Sequence, residues 1–344
     1  MPLPLPCCCS MHSRFHVRRR AAAALGIAAL SIAAACSSSN ERTVRVSIPP
    51  GSSFGAAIDS LDRAGVISSP KLFGLYASAR GRDRDLKAGT YAFEPGTSWN
   101  GVLDALTRGK GLVHTVTIPE GFALTSIAPL LGKALSVPAD SVMAAASDTA
   151  LRRRLDVPTP TLEGYLFPDT YTFAEGTSPE EAVRMLVARF ERVWKPEWDA
   201  RLQELTMSRH DIMTLASIIE KEARLAEERP VISAVYHNRL RIGMALQADP
   251  TVQYALGRHV DRVLYKDLEV DSRYNTYKHV GLPPGPIASP GAASIEAALY
   301  PAKVPYLFFV AHPDGHHEFR QTFSEHTEAR AQIRRETPPR PSSR

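Results

Sequence analysis

Tyr171-Thr172-Phe173-Ala174-Glu175-Gly176-Thr177-Ser178 alternates in polarity, breaks at Gly176 and ends on two hydroxyl residues. Val183, Met185 and Leu186 follow it. A near copy, Tyr91-Ala92-Phe93-Glu94-Pro95-Gly96-Thr97-Ser98, precedes Val102, Leu103 and Leu106 and stops near Gly109. Period-two alternation predicts a strand, and the apolar spacing after it predicts an amphipathic helix. The turn hydroxyl is placed to accept from the unpaired N–H groups of the helix's first turn. Two looser versions of the unit occur. Val44-Arg45-Val46-Ser47-Ile48 is broken by Pro49-Pro50-Gly51-Ser52 before Ile58, Leu61 and a Gly65 stop. Val116-Thr117-Ile118-Pro119-Glu120-Gly121 precedes Ile127 and Leu131. Such strand–turn–helix units are also the ordinary grammar of αβ proteins, so they set a class and not a function.

From about residue 205 the pattern changes. Ser208-Arg209-His210-Asp211 has capping-box spacing, and Ile212, Leu215, Ile219, Ala223 and Ala226 form one stripe. This predicts a helix from Asp211 to Arg229. Pro230 opens a second helix through Ile232, Val235 and Leu240, stopped at Gly243. Residues 271–291 are rich in turn signals. Tyr306 to Ala311 and Glu318 to Thr322 read as a hairpin around Pro313-Asp314-Gly315. The class expected is α+β, with a small N-terminal module over 43–110 and a larger mixed α/β domain over 111–335. Residues 336–344 are expected to be a disordered tail.

The formal charge of +5 is unevenly placed. Arg14, Arg18, Arg19 and Arg20 lie in the first 36 residues with no acid, and the rest of the chain is nearly neutral. Nucleic-acid binders concentrate positive charge on one face, so nucleic acid is not an expected partner. All four cysteines, Cys7, Cys8, Cys9 and Cys36, lie in that same segment. The domain beyond it can hold no internal disulfide, thiolate nucleophile or Cys-type zinc site.

Residues 1–36 read as a targeting segment. Arg18-Arg19-Arg20 precede an apolar run from Ala21 to Ala35, which ends Ala33-Ala34-Ala35-Cys36-Ser37-Ser38-Ser39. The run is short for a membrane span, which needs about 20 residues. A basic start, a short apolar run and small residues at the end describe a secretory signal. The ending resembles a bacterial lipobox, which would make Cys36 a lipidation site, although Ala33 stands where leucine is usual. An uncleaved signal anchor is the alternative. Either reading tethers the body to the cell (inner) membrane, outside the cytoplasm, through a polar linker over 37–42.

The helix beginning at Asp211 carries the candidate chemistry. At 100° per residue, Glu220 and Glu222 fall on opposite flanks of the apolar stripe and Lys221 faces water. Two carboxylates so placed cannot work as one acid/base pair. One of them, half-buried beside a cleft, could hold a proton near neutrality and act alone. The plain alternative is a solvated face on which Glu220, Glu222, Glu227 and Glu228 lie near Arg224 and Arg229.

Leu215-Ala216-Ser217-Ile218-Ile219-Glu220-Lys221-Glu222-Ala223 resembles the catalytic helix of the endolytic murein transglycosylases, the MltG/YceG-like family. Further resemblances stand at Leu162–Tyr171 (LEGYLFPDTY), Val235–Leu240 (VYHNRL) and Met244–Val252 (MALQADPTV). Others stand at Tyr274–Tyr277 (YNTY), Gly281–Ile287 (GLPPGPI) and Leu307–Ala311 (LFFVA). The resemblance spans about 43–330. It implies that the first glutamate of the Glu-Lys-Glu run, Glu220, is the catalytic acid. Residues 43–110 also resemble a LysM-type module, which binds N-acetylglucosamine polymers, and 111–335 is then the catalytic domain. The substrate implied is the glycan strand of peptidoglycan, with peptidoglycan synthases as candidate partners.

Other residues of these motifs are candidates for binding sugar. Glu163, Tyr165 and Asp169 combine aromatic faces with carboxylates, and also suit a half-buried strand. Asn238, Gln247, Asp249, Tyr274 and Asn275 offer groups for N-acetyl and hydroxyl contacts, with Asp249 equally placed to open a helix. His312, His316 and His317 flank a turn and share no helix face, so no metal is expected. No cofactor is expected. A pyridoxal-phosphate lyase would need a buried lysine, whereas Lys221 points to solvent and Lys278 lies in a polar loop. Two other functions stay open: a non-catalytic wall-binding protein, and a hydrolytic muramidase whose second carboxylate would be Glu163 or Asp169.

Overall fold

The computed structural model describes residues 43–109, 111–258, 260 and 263–336. The targeting segment with Cys36, the linker and the tail from 337 lie outside the described residues. The body is α+β.

In chain order the first elements are β1 (Val44–Ile48), α1 (Phe54–Arg63), α2 (Pro70–Ala79), β2 (Gly89–Phe93) and α3 (Trp99–Arg108). Then come β3 (Leu112–Thr117), α4 (Leu124–Leu135), α5 (Ala139–Ala145), α6 (Thr149–Arg154), β4 (Thr170–Ala174) and α7 (Pro179–Val193). The helical half follows with α8 (Pro196–Leu205), α9 (Arg209–Glu222), α10 (Arg229–Arg241), α11 (Asp249–Ala255) and α12 (Ala292–Leu299). A hairpin of β5 (Phe308–Ala311) and β6 (His317–Arg320) precedes α13 (Phe323–Glu336). No helix among the described residues is long and apolar enough to cross a membrane.

Two of the four strand–turn–helix units start their helices at the hydroxyl residue read from the sequence, Ser98 and Ser178, and the first is capped one residue later than Ser52, by Ser53. Ser53, Ser98 and Ser178 each accept from a backbone N–H three residues on. Gly109 closes α3 in the left-handed conformation. The fourth helix, α4, has Ala123 at its cap and no local acceptor. Its N-terminus is satisfied from 39 residues away by Glu163.

The strands form one antiparallel sheet in the order β1-β2-β3-β4. Its central seam is short: β2 and β3 pair at Thr90↔Val113 and Tyr91↔Leu112, and the Ala92 N–H donates to the Gly111 carbonyl beside them. Residues 44–112 enclose a core of their own, with Ile48, Leu61, Phe73, Tyr91, Leu103 and Leu106 fully buried. A second and larger core runs from Ile118 to Leu299 around α7, α9 and α12.

The capping box at Ser208 and Asp211 is present. The helix that it opens ends at Glu222 and not at Arg229. Ala223 is extended, a single 3-10 turn covers Ala226–Glu228, and α10 restarts with Pro230 in its first turn. Pro230 has no N–H, and its ring would strike the carbonyl four residues before it in a continuous helix. This break leaves Glu222 at the end of α9, where its side chain meets elements from far along the chain.

Candidate active site

The two glutamates of α9 stand in different surroundings. Glu220 faces α12. Its Oε2 accepts from the Gly291 N–H at 3.1 Å and the Ser294 hydroxyl at 2.7 Å. Arg229 lies 3.8 Å from its Oε1, and the side chain is 8% exposed. Glu120 closes the same flank against Gly291, where a Cβ would lie 1.9 Å from its carboxylate. Burial and the charge of Glu220 push the Glu120 carboxyl up, with Arg229 opposing. Glu220 is thus held by protein donors from a neighbouring element.

Glu222 lies on the other flank, at the wall of a cleft of about 490 Å³. Gln247, Asp249, Tyr277, Arg239 and Phe309 line the cleft with it, as do His326 and Arg330 of α13. The Tyr236 hydroxyl donates to Glu222 Oε1 at 3.2 Å. Burial first and the charge of Asp249 second push the Glu222 carboxyl up to about 7, against the Tyr236 hydrogen bond, Arg239 and Arg224. A carboxyl that titrates there holds its proton on much of the enzyme at neutral pH and can deliver it.

The cleft is braced from below. Arg239 is buried and donates to the Leu307 carbonyl at 2.7 Å and the Leu246 carbonyl at 2.6 Å. It ties β5 to the segment that carries Gln247 and Asp249. Gln247 sits at φ 49, a left-handed conformation uncommon outside glycine, held by its N–H to the Thr276 carbonyl. The Tyr277 hydroxyl donates to Asp249 Oδ1 at 2.5 Å. Two motifs distant in sequence, MALQADPTV and YNTY, therefore meet at Glu222.

The other candidates separate into places. Gln247 and Asp249 line the Glu222 cleft. Glu163 does not: it is 4% exposed, and both its oxygens accept from the Leu124 N–H at the start of α4. Burial pushes its carboxyl up to about 7, with the Leu124 and Tyr254 hydrogen bonds opposing. Tyr165 is fully buried, edge-on to Phe190, with its hydroxyl 2.9 Å from His210 Nδ1. Asp169 accepts from Arg189 Nε at 2.6 Å, which holds its carboxyl below the usual range. Asn238 donates to the Val304 and Tyr306 carbonyls, and Asn275 to the Leu268 and Val270 carbonyls. Tyr274 packs on Tyr254, which lines a neighbouring cavity of about 580 Å³ with Gly121, Lys221 and Arg258. Glu163, Tyr165, Asp169, Asn238 and Asn275 are thus placed to hold the fold, not to meet a ligand in the cleft. Their polar groups are taken up by backbone or by neighbouring side chains.

A larger cavity, about 730 Å³, lies at the short β2–β3 seam between Thr90, His114, Lys133 and Glu175, and neither glutamate of α9 lines it. The three hairpin histidines each pair with a different carboxylate: His312 with Glu318, His316 with Asp314, and His317 with Glu228. Sequence reasoning missed Arg239, His326 and Arg330. Arg239 stands in the VYHNRL motif. The other two lie on a helix whose one signal was Thr322-Phe323-Ser324-Glu325, a capping-box spacing that the structure realises.

Residues 46–332 match the YceG-like family. The chain belongs to that family. A Bacillus subtilis relative named endolytic murein transglycosylase is 38% identical over 307 residues, covering 85% of each chain. A Streptococcus pneumoniae relative of the same name is 31% identical over 79% of this chain, which spans 55% of that longer protein. The crystal structure of a yceG-like protein from Listeria monocytogenes superposes with a TM-score of 0.60 at 36% identity, covering 83% of this chain and 98% of the other. In this YceG-like chain both glutamates of the Glu-Lys-Glu run, and the Gln247 and Asp249 motif, lie inside the matched region.

Proposed function

We propose that this protein is an endolytic murein transglycosylase and that Glu222, not Glu220, is its acid. The activity rests on the relatives that carry that name. The assignment of the acid rests on one observation: Glu222 is the glutamate of α9 that lines a cleft, with its carboxyl pushed up to about 7. The expectation from resemblance, Glu220, does not suit the role. Its accepting oxygen is already engaged by Gly291 and Ser294, and α12 covers it.

In the proposed reaction the protonated Glu222 donates to the oxygen between N-acetylmuramic acid and N-acetylglucosamine. The C1–O bond breaks, and positive charge develops at C1 of the muramyl ring. Glu222, now a carboxylate, takes the proton from the C6 hydroxyl as that oxygen closes onto C1. The glutamate ends protonated as it began, and the products are one free N-acetylglucosamine end and one 1,6-anhydro ring. The attack is intramolecular, so its positional entropy is met by the substrate itself. Asp249 raises the proton affinity of Glu222 and, across the cleft, favours the charge developing at C1.

A hydrolytic muramidase would need a second carboxylate to handle water. Glu163 is beneath α4 and Asp169 is tied to Arg189, which leaves Asp249 to fill that role. Mass spectrometry of products from purified strands separates the two. Anhydro ends from internal cuts support the proposal, and products with one added water, reducible by borohydride, overturn it. The β-α-α-β run of residues 44–93, with its own core, suits the LysM-like glycan-binding role read from sequence. Tethering to the inner membrane through Cys36 or a signal anchor, with the body outside the cytoplasm, rests on the Arg-rich start and the Ala-Ala-Ala-Cys ending. Action beside peptidoglycan synthases fits that placement.

A further inference from the structure

Helix α13 contributes Phe323, His326 and Arg330 to the Glu222 cleft, spaced three and four residues apart on one face. Ala329 anchors the helix and is its buried residue. The His326 ring is held in a stack on Phe308, 5.4 Å between centroids and 26° between planes. Its Nδ1 is buried and has no hydrogen-bond partner among the described residues. A buried, unpartnered nitrogen costs folding free energy, and a group supplied by a ligand would remove that cost. Burial, Arg330 and Arg239 lower the proton affinity of this imidazole, so it offers a neutral hydrogen bond. Arg330, one turn on and exposed, offers a fixed cation at the rim of the same cleft.

A neutral hydrogen-bonding nitrogen beside a guanidinium suits a ligand that carries amides and carboxylates together. In a stem-bearing strand the lactyl carboxyl of each muramyl unit is tied up in the amide that holds the stem, so the sugars themselves offer amides without a carboxylate. The peptide stem on the lactyl group of its muramyl units has both. We infer that His326 and Arg330 form a stem-peptide subsite, so that α13 makes the enzyme prefer strands that keep their stems. This rests on the reading that the Glu222 cleft receives the strand.

The test compares stem-bearing strands with the same strands stripped of stems by an amidase, which leaves the lactyl carboxylate but none of the stem's amides or carboxylates. The enzymes are full-length wild type, Arg330→Gln, His326→Phe and Glu222→Gln. His326→Phe keeps the ring stack on Phe308 and removes the nitrogen. Arg330→Gln lies on an exposed position and leaves the core intact. Each of the two should raise KM for stem-bearing strands about tenfold, with kcat little changed and melting temperature not lowered, and leave stripped strands unaffected. Equal effects on both substrates, or no effect of Arg330→Gln on either, would overturn the subsite. Turnover by Glu222→Gln would remove the cleft reading itself, which is a separate failure.

Discussion

Replacing Tyr236 by phenylalanine should move the alkaline limb of the pH–rate profile upward. The Tyr236 hydroxyl donates to Glu222 and lowers its proton affinity, against burial and Asp249, which raise it. The wild-type acid titrates at about 7. By that value about a tenth of the enzyme carries the catalytic proton at pH 8. A hydrogen bond to a charged group contributes about 1.5 kcal/mol at the weak end, or about one pH unit. This bond, at 3.2 Å, belongs at that end. Without it about half of the enzyme is protonated at pH 8, and kcat/KM relative to its own plateau at low pH rises about fivefold. The ring is fully buried and edge-on to Phe309, so phenylalanine preserves the packing. Asp249→Asn removes a like charge and should shift the same limb downward. The assay is turnover of purified strands from pH 5.5 to 9, each variant normalised to its own plateau. A limb that stays in place, or moves down in Tyr236→Phe, would refute the assignment of that limb to Glu222.

Two predictions concern stability. Gly164 sits at φ +84 in the LEGYLFPDTY motif, and a Cβ there would lie 2.3 Å from Pro286 of the GLPPGPI motif. Gly164→Ala should cost about 3 kcal/mol or more from strain and overlap together, read as a large fall in melting temperature. Glu163 has a folded-state carboxyl raised to about 7 from 4.5. A raised acid contributes stability below its unfolded value that is lost as pH rises toward and through the folded one. Glu163→Gln keeps an acceptor for the Leu124 N–H and does not ionise. The stability of the variant relative to wild type should therefore improve by on the order of 3 kcal/mol between pH 4 and pH 8. Denaturant titrations at the two pH values check it, and a difference that does not change with pH would contradict it.

Local signals in the chain were legible where a residue acts on its own neighbours. The serine caps at 98 and 178, the capping box at 208 and the hairpin around Asp314 all depend on residues a few positions apart. The α+β class followed from them. The overrun of α9 to Arg229 came from a stripe that continued through Ala223 and Ala226, where the backbone had already turned. Helix α13 was missed because Ala329 is its buried residue, so no apolar stripe marks it. The choice between Glu220 and Glu222 was not local at all. A helical wheel puts them on two flanks of one stripe. Which flank opens to a cleft is decided by α12, about 70 residues on, and by α13, about 100 residues on, with the first closing over Glu220 and the second standing across from Glu222. Glu163 misled for a related reason: its partner is the N-terminus of a helix that lacks its own cap.

The central claim is that one glutamate at the end of α9, Glu222, delivers the proton. The most direct measurement is the rate of strand cleavage by Glu222→Gln and Glu220→Gln, side by side with their melting temperatures. Glu222→Gln should lose cleavage altogether while folding at least as stably as wild type, because it removes a buried ionisable group. Glu220→Gln should retain measurable cleavage and lose stability, because it weakens the contacts to Gly291, Ser294 and Arg229. Cleavage by Glu222→Gln, with none from a folded Glu220→Gln, would contradict the account and return the acid to Glu220.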